Sequence, residues 1–150
     1  MTEQPFDSAQ GRELAERQVF EKLVPLIQEV TGAKPEAIAM ESYLMRDLGA
    51  ESIDLLDLSF LIEENFGVTI GPDEFEKEAR QRLDGAEYER DGRLTPEAVE
   101  ELRSALPEVD PALLHAGLRK IDVPSVLNAA VFVHLIQRKQ VGQTFLSATK

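Results

Sequence analysis

The sequence has no cysteine and few basic residues, and both shortages exclude classes of function. Without cysteine, the chain forms no disulfide bond and no thiolate metal site. Lysine and arginine number 16 against 28 aspartate and glutamate residues, which leaves a formal net charge of -12. Because basic side chains bind the phosphates of nucleic acids, this balance argues against DNA or RNA as a partner. The 150 residues suit one domain.

Long apolar runs are also missing. The longest one, residues 126–136, contains Asn128 and His134, and it is shorter than a membrane-spanning helix. The first six residues contain neither the basic nor the apolar stretch of a secretory signal. We therefore expect a cytoplasmic monomer with no membrane span.

The sequence offers little for catalysis or metal binding. His115 and His134 both lie in apolar, helical patterns, so we interpret both as structural, and neither is a convincing partner for a serine nucleophile. The acidic residues do not follow the alternating ligand spacing of a calcium loop. Asp84-Gly85 and Asp91-Gly92 are expected to be turns. We therefore expect that the protein is not an enzyme and has no metal site.

The spacing of apolar residues predicts an all-α fold. The main helices are expected at about 11–30, 52–66 and 124–138, and Pro25 should bend or split the first of them. The first ten residues are expected to be a mobile tail, and about 141–150 a second tail. The long loop over residues 32–51 has its own apolar anchors. These are Ile38, Tyr43, Leu44, Met45 and Leu48.

Residues from about 78 to 118 differ in character, because their charges are mixed and their basic residues are all arginine. Two helix starts have a cap residue followed by proline, at Thr95-Pro96 and at Asp110-Pro111. The first is expected to lead into a helix through Leu106, and the second into a helix through Leu118. A further short helix is expected around Phe75.

The segment 52–66 carries the clearest helix signals. Ser52 is predicted to be its N-cap, Asp54 places a negative charge in the first turn, and Gly67 is predicted to end it. Two apolar stripes run along this helix. The first is an ordinary core face, formed by Leu55, Leu58, Ile62 and Phe66. The second either contacts another part of the chain or is an exposed docking surface with an acidic rim, and it is formed by Ile53, Leu56 and Phe60.

Residues 47–64, DLGAESIDLLDLSFLIEE, resemble the signature DLGxDSL(D/E)x(V/L)(D/E)L of acyl carrier proteins. The resemblance extends over residues 19–70 and 121–136. It implies an acyl-carrier-like four-helix bundle with extra short helices inserted between the second and last bundle helices, at about 78–118. One departure is Glu51, where the family usually has aspartate before the serine, and it bears on the rate and choice of the modifying enzyme.

The resemblance also implies a function. A phosphopantetheinyl transferase would attach 4'-phosphopantetheine from coenzyme A to Ser52, and the arm would hold an acyl group as a thioester. Basic patches on synthases, ketosynthases or acyltransferases would dock on the helix after Ser52. The docking residues would be Glu51, Ile53, Asp54, Leu56, Asp57, Phe60, Glu63 and Glu64. An acyl cavity would be lined by Leu58, Ile62, Phe66, Ile70, Val126 and Ala130.

The favoured hypothesis is a specialised acyl carrier protein in fatty-acid or dedicated lipid synthesis. Two alternatives stay open at this point. The first is that the chain is a polyketide or peptidyl carrier. The second is that it is a helical interaction module that is never loaded. The sequence favours loading, because a pure scaffold has no need of the serine hydroxyl.

Overall fold

The computed structural model describes residues 4–71 and 73–148 of the chain. Within these residues, five α-helices, three short 3-10 segments and one two-stranded hairpin enclose an apolar core. The prediction of a helical, acyl-carrier-like fold is confirmed. None of the described helices is long and apolar enough to cross a lipid bilayer.

The first helix, α1, is Gln4–Thr31, and it packs against the second and the last α-helices. It begins earlier than the predicted start near residue 11. Residues 4–10 of the predicted tail therefore belong to α1, whereas residues 1–3 lie outside the described part. Pro25 does not split the helix. Its ring is exposed, and Leu23 and Ile27, which precede and follow it on the opposite face, are buried and pack the helix against the core on both sides of the proline.

The long loop after α1 is attached to the core as the sequence predicted. It contains a 3-10 turn at Pro35–Ala37, and the side chains of Ile38 and Leu44 are buried. Its other predicted anchors, Tyr43, Met45 and Leu48, are partly buried against the core. The backbone N–H of Leu44 also donates to the carbonyl of Leu127 at 3.1 Å, which joins the loop to the region before the last helix.

The second helix, α2, is Ser52–Phe66 and has the predicted bounds. Gly67 follows it with φ of 72°, in the left-handed region that glycine adopts without the steric cost of a side chain. The residue that precedes the helix with extended geometry is Glu51. Ser52 is therefore the first helical residue, and its prediction as the N-cap is wrong.

A hairpin follows the third helix, α3 (Glu74–Leu83), which confirms the short helix expected at Phe75. Strands β1 (Glu89–Arg90) and β2 (Arg93–Leu94) pair antiparallel, with Arg90 opposite Arg93. The turn between them is Asp91-Gly92, and both residues have positive φ, 56° and 79°. Two successive positive φ values belong to the hairpin turn that Asp-Gly favours. The turn was predicted, but the two-residue strands were not.

The next helix, α4, is Pro96–Ala105, and it packs against α3. Its predicted cap is confirmed, because the Thr95 hydroxyl accepts from the N–H of Ala98 at 3.1 Å. The second predicted helix of this region is reduced to a 3-10 turn at Pro111–Leu113, although Asp110 does cap it. The chain then pairs with β2 instead, and Leu94 N–H donates to the Leu118 carbonyl at 2.8 Å. Long-range pairing has replaced the local helix.

The last helix, α5, is Ala129–Ala148, and a 3-10 segment at Lys120–Val126 precedes it. The predicted start at Pro124 is therefore too early. Asn128 determines the actual start, since its buried side-chain oxygen accepts from the N–H of Val131 at 3.1 Å. Residues 141–148, predicted to be a tail, continue α5, and residues 149–150 lie outside the described part.

Candidate functional site

The turn before α2 places Ser52 at the protein surface. Gly49 has φ of 78°, and the buried Ala50 donates its N–H to the Leu44 carbonyl at 2.9 Å. The Tyr43 N–H donates to the Asp47 carboxylate at 2.9 Å, which closes the preceding turn. The exposed position of Ser52 is thus built on a loop that is itself fixed to the core.

The Ser52 hydroxyl is not needed to cap its own helix. Asp54 takes part of that role, because its carboxylate accepts from the Glu51 N–H at 2.8 Å. Ser52 is exposed, and among the described residues its hydroxyl makes no hydrogen bond. The oxygen is therefore available to a reagent from solvent, at the positive end of a 15-residue helix.

The two apolar stripes of α2 have different environments. Leu55, Leu58 and Ile62 are buried, and Phe66 is partly buried beneath the Lys22 ammonium, 4.8 Å from the ring centre. Ile53 and Phe60 are 60% and 59% exposed, and Leu56 is partly buried beside them. The second stripe is an outward-facing surface, and the alternative that it is merely core is wrong.

Carboxylates surround this apolar surface. Asp57, Glu63 and Glu64 are exposed and Asp54 is partly buried, and none of them has an ion-pair partner within residues 4–71 and 73–148. A shallow groove of about 310 Å³ continues the acidic surface onto α1, and its lining is half acidic. The lining residues are Glu29, Val30, Asp54, Asp57, Phe60 and Leu61.

A mainly apolar cavity of about 110 Å³ lies directly beside Ser52. Its lining comes from α2, from the start of α3, from the 3-10 segment before α5, and from α5 itself. The lining residues are Ser52, Leu55, Leu56, Ser59, Gly71, Phe75, Pro124, Leu127 and Phe132. The structure thus places the exposed Ser52 at the edge of a space that is suited to an apolar group.

None of the six residues predicted to line an acyl cavity contributes to this one. Leu58, Ile62, Ile70 and Val126 are buried in the core, and Phe66 and Ala130 are partly buried elsewhere. The cavity lies one position further around α2, on the side of Leu55 and Ser59. The family resemblance pointed to residues of α2 and to the region of α5, but it does not specify the rotation of a helix about its axis.

The larger groove between α3 and α5 has a different chemistry. It has a volume of about 450 Å³, and charged side chains form most of its lining, Glu74 and Lys139 among them. These two form an ion pair across the groove at 2.8 Å. Burial opposes ionisation of Glu74, but hydrogen bonds from Lys139 and from the Gly71 N–H lower the pKa of its carboxyl. An ion-paired groove is a poor place for an apolar group.

The two histidines have different roles. His115 is exposed and lies outside any helix, which corrects its predicted apolar, helical context. His134 is partly buried on α5, with Nδ1 2.6 Å from the Glu108 carboxylate and Nε2 in contact with the Glu16 carboxylate. Desolvation lowers the pKa of His134, but the hydrogen bonds to Glu16 and Glu108 outweigh it and raise that pKa above its ordinary value. The two glutamates were not found from sequence, since they lie 118 and 26 residues from the histidine.

Comparison with known proteins gives a consistent result. A family model described as a phosphopantetheine attachment site matches residues 21–80, which contain Ser52. An acyl carrier protein of Campylobacter hominis is 37% identical over 60 residues, which are 40% of this chain and 76% of that protein. The acyl carrier protein of Campylobacter curvus is 41% identical over 59 residues, 39% of this chain and 77% of that protein. No solved structure matches the chain significantly.

Proposed function

The chain belongs to the acyl carrier protein family, and we propose that it carries an acyl group on a 4'-phosphopantetheine arm attached to Ser52. One observation supports this attachment point above the others. The Ser52 hydroxyl is exposed, makes no hydrogen bond among the described residues, and borders an apolar cavity. Members of this family carry phosphopantetheine covalently and act as carriers rather than catalysts.

Attachment is a single substitution at phosphorus. The Ser52 Oγ attacks the phosphorus next to the pantetheine in coenzyme A, and a bond forms between Oγ and phosphorus. The bond from that phosphorus to the adenosine bisphosphate breaks, and the hydroxyl proton passes to the transferase. The phosphodiester that results carries a negative charge at the N-terminus of α2, where the helix dipole stabilises it. When bound, the arm supplies the thiol that holds an acyl group as a thioester.

Glu51 distinguishes this chain from the usual family pattern. Its side chain is exposed next to Ser52, so the approach of a transferase brings that enzyme close to a glutamate rather than an aspartate. The carboxylate is displaced by about one carbon–carbon bond relative to aspartate. We propose that this residue tunes the rate of attachment and the choice of transferase, whereas Ser52 determines whether attachment occurs.

Docking of partner enzymes is assigned to the outward face of α2. Ile53, Leu56 and Phe60 would form its apolar centre, and Glu51, Asp54, Asp57, Glu63 and Glu64 would form the acidic rim. Exposed apolar groups inside a polar rim are the usual anatomy of a protein interface. The unpaired carboxylates favour synthases and acyltransferases with basic patches, and they predict association that weakens as salt increases.

The region after the family match is proposed to make this carrier a specialised one. Residues of the predicted insertion, about 78–118, form the end of α3, the hairpin and α4, and they pack into the same core as α2. Its arginines are largely engaged within the region, since Arg80 lies over the Tyr88 ring and Arg103 donates to the Leu114 carbonyl. We propose that the insertion selects one dedicated partner, in a pathway of fatty-acid or related lipid synthesis.

The test is the intact mass of the purified protein after incubation with coenzyme A and a broad-specificity phosphopantetheinyl transferase. The wild type and the control Ser104→Ala, which removes an exposed serine of α4, are expected to gain the mass of one phosphopantetheine. Ser52→Ala is expected to gain nothing. If no form gains mass with several transferases, the result favours the interaction module that is never loaded, or it means that Glu51 and the insertion require a dedicated transferase. A gain in Ser52→Ala would place the attachment elsewhere.

A further inference from the structure

We infer that the aromatic pair Phe75 and Phe132 limits the length of the acyl chain that this protein shelters, and that it shelters short chains. The inference rests on the proposed function, because it assigns the cavity beside Ser52 to the acyl group. It adds two things to that function. The phenylalanine pair is a specificity determinant, and the substrate class is short acyl groups, because the cavity holds only about four carbons of the chain.

The position of the pair follows from the exposure of the cavity lining. Ser52 is exposed, and Leu56, Gly71 and Pro124 are partly buried, so these residues form the mouth. The remaining lining residues are buried and form the interior. They are Leu55, Ser59, Phe75, Leu127 and Phe132. An acyl group that enters beside Ser52 therefore advances towards the two phenylalanines.

The two rings form a well-packed wall. Their centroids are 6.2 Å apart and their planes are 88° apart, which is the edge-to-face arrangement that aromatic pairs favour. Both side chains are buried, and they come from different helices, α3 and α5. A longer acyl chain would have to separate the rings. The protein would then lose the contact between the two rings before the additional carbons made any contact of their own.

The volume of the cavity gives the length. An engineered cavity of about 150 Å³ holds benzene, which has six carbons. By that standard, 110 Å³ holds about four carbons. A chain of medium or long length therefore leaves most of its methylenes in water unless α3 moves away from α5.

Several contacts oppose such a movement of α3. Glu74, the residue before Phe75, pairs with Lys139 of α5 at 2.8 Å. Glu76, the residue after it, accepts from the Tyr88 hydroxyl at 2.8 Å, and Arg80 lies 4.4 Å from the centre of the Tyr88 ring. The hairpin region thus holds α3 from one side while α5 holds it from the other. Helix α3, which carries Phe75, is therefore attached both to α5 and to the hairpin region.

The experiment uses the full-length protein loaded from acyl-coenzyme A substrates of increasing chain length, with intact mass as the check on loading. Thermal unfolding is then measured for each loaded form. In the wild type, Tm is expected to rise with each carbon up to about four and then to stay constant, because further carbons remain in water. Phe75→Leu removes a net three side-chain carbons, so its plateau is expected at a chain length about three carbons greater.

The matched control is Phe20→Leu, which makes the same change in a partly buried phenylalanine of α1 outside the cavity. Its plateau is expected at the wild-type length. The inference is overturned if the wild-type Tm keeps rising through twelve carbons, if Tm does not depend on length, or if both variants move the plateau equally. The wild-type series decides the matter even if Phe75→Leu does not fold. Failure of loading in the mass spectrum would instead overturn the proposed function, and this inference with it.

Discussion

The contact of His134 with two carboxylates predicts a pH-dependent contribution to stability. The imidazole of α5 lies between Glu16 of α1 and Glu108, which precedes the 3-10 turn at Pro111–Leu113. Both ring nitrogens face carboxylate oxygens. The protonated ring has an N–H on each nitrogen and donates to both carboxylates, whereas the neutral ring has one N–H and donates to only one of them. Replacing the side chain by His134→Gln removes the positive charge and keeps a polar group of similar size.

The expected loss is modest because the cluster is partly in water. A hydrogen bond to a charged group contributes about 1.5–3 kcal/mol, and exposure reduces that value. The His134 side chain is 34% exposed, whereas that of Glu108 is only 12% exposed and is left with an uncompensated charge. We expect His134→Gln to lower the free energy of unfolding by about 1–2 kcal/mol at pH 6. For a chain of this size that corresponds to a fall in Tm of about 2–8 °C.

The sign of the pH dependence follows from the raised pKa. The folded state binds the imidazole proton more tightly than the unfolded state does, so this stabilisation is complete below the ordinary histidine pKa of about 6.5. It is lost as the pH rises through the higher pKa of the folded state. The difference in Tm between the wild type and His134→Gln should therefore be largest near pH 6 and smallest at alkaline pH.

The assay is thermal unfolding followed by circular dichroism, in one buffer series at constant ionic strength. His115→Gln is the matched control, because His115 is exposed and its ring nitrogen Nδ1 lies 3.3 Å from the carbonyl of the neighbouring Ala116 rather than between carboxylates. That variant should follow the wild type at every pH. A difference for His134→Gln that is independent of pH, or that grows as the pH rises, would refute a protonated imidazole held between two carboxylates.

Two backbone and capping predictions can be measured by urea unfolding. Gly67→Ala should lower the free energy of unfolding by about 1 kcal/mol, because alanine is strained at φ of 72°, whereas Gly11→Ala, inside α1, should be neutral or stabilising. An equal loss in both variants would contradict the argument from φ. Thr95→Val should lower the free energy of unfolding by about 2 kcal/mol, since the buried Ala98 N–H loses its acceptor, and Thr95→Ser should restore most of it. A loss in Thr95→Ser as large as that in Thr95→Val would contradict a dominant cap, because it would show that packing of the methyl group, which valine keeps and serine lacks, contributes as much as the hydroxyl.

The features predicted correctly from sequence are those that depend on neighbouring residues. The bounds of α2 follow from its apolar spacing and from Gly67, and the start of α4 follows from Thr95-Pro96. The Asp91-Gly92 turn is likewise a property of two adjacent residues. One local error, Ser52 as the N-cap, arose because serine and glutamate next to each other can both precede a helix, and the Asp54 carboxylate selects Glu51.

Other errors concern contacts between distant residues. A helix towards Leu118 was expected, but the hydrogen bonds of β2 with residues 117 and 118 take that backbone. An acyl cavity was expected near Ile62, yet Ile62 is packed in the core and the cavity beside Ser52 is lined by Leu55 and Phe132. Neither the pairing of this segment with β2 nor the position of the cavity can be predicted from the spacing of nearby residues, because each depends on which surfaces meet after the chain has folded.

By itself, then, the sequence determined that this is an acidic, helical chain whose second long helix begins at the serine of an acyl-carrier-like signature. The reason is that capping, turn geometry and apolar period act over a few residues. Only the tertiary structure decided that the serine hydroxyl makes no hydrogen bond among the described residues, that Phe75 and Phe132 line the cavity beside it, and that His134 joins Glu16 to Glu108. Those features require groups up to 118 residues apart to meet, and packing of the whole core brings them together.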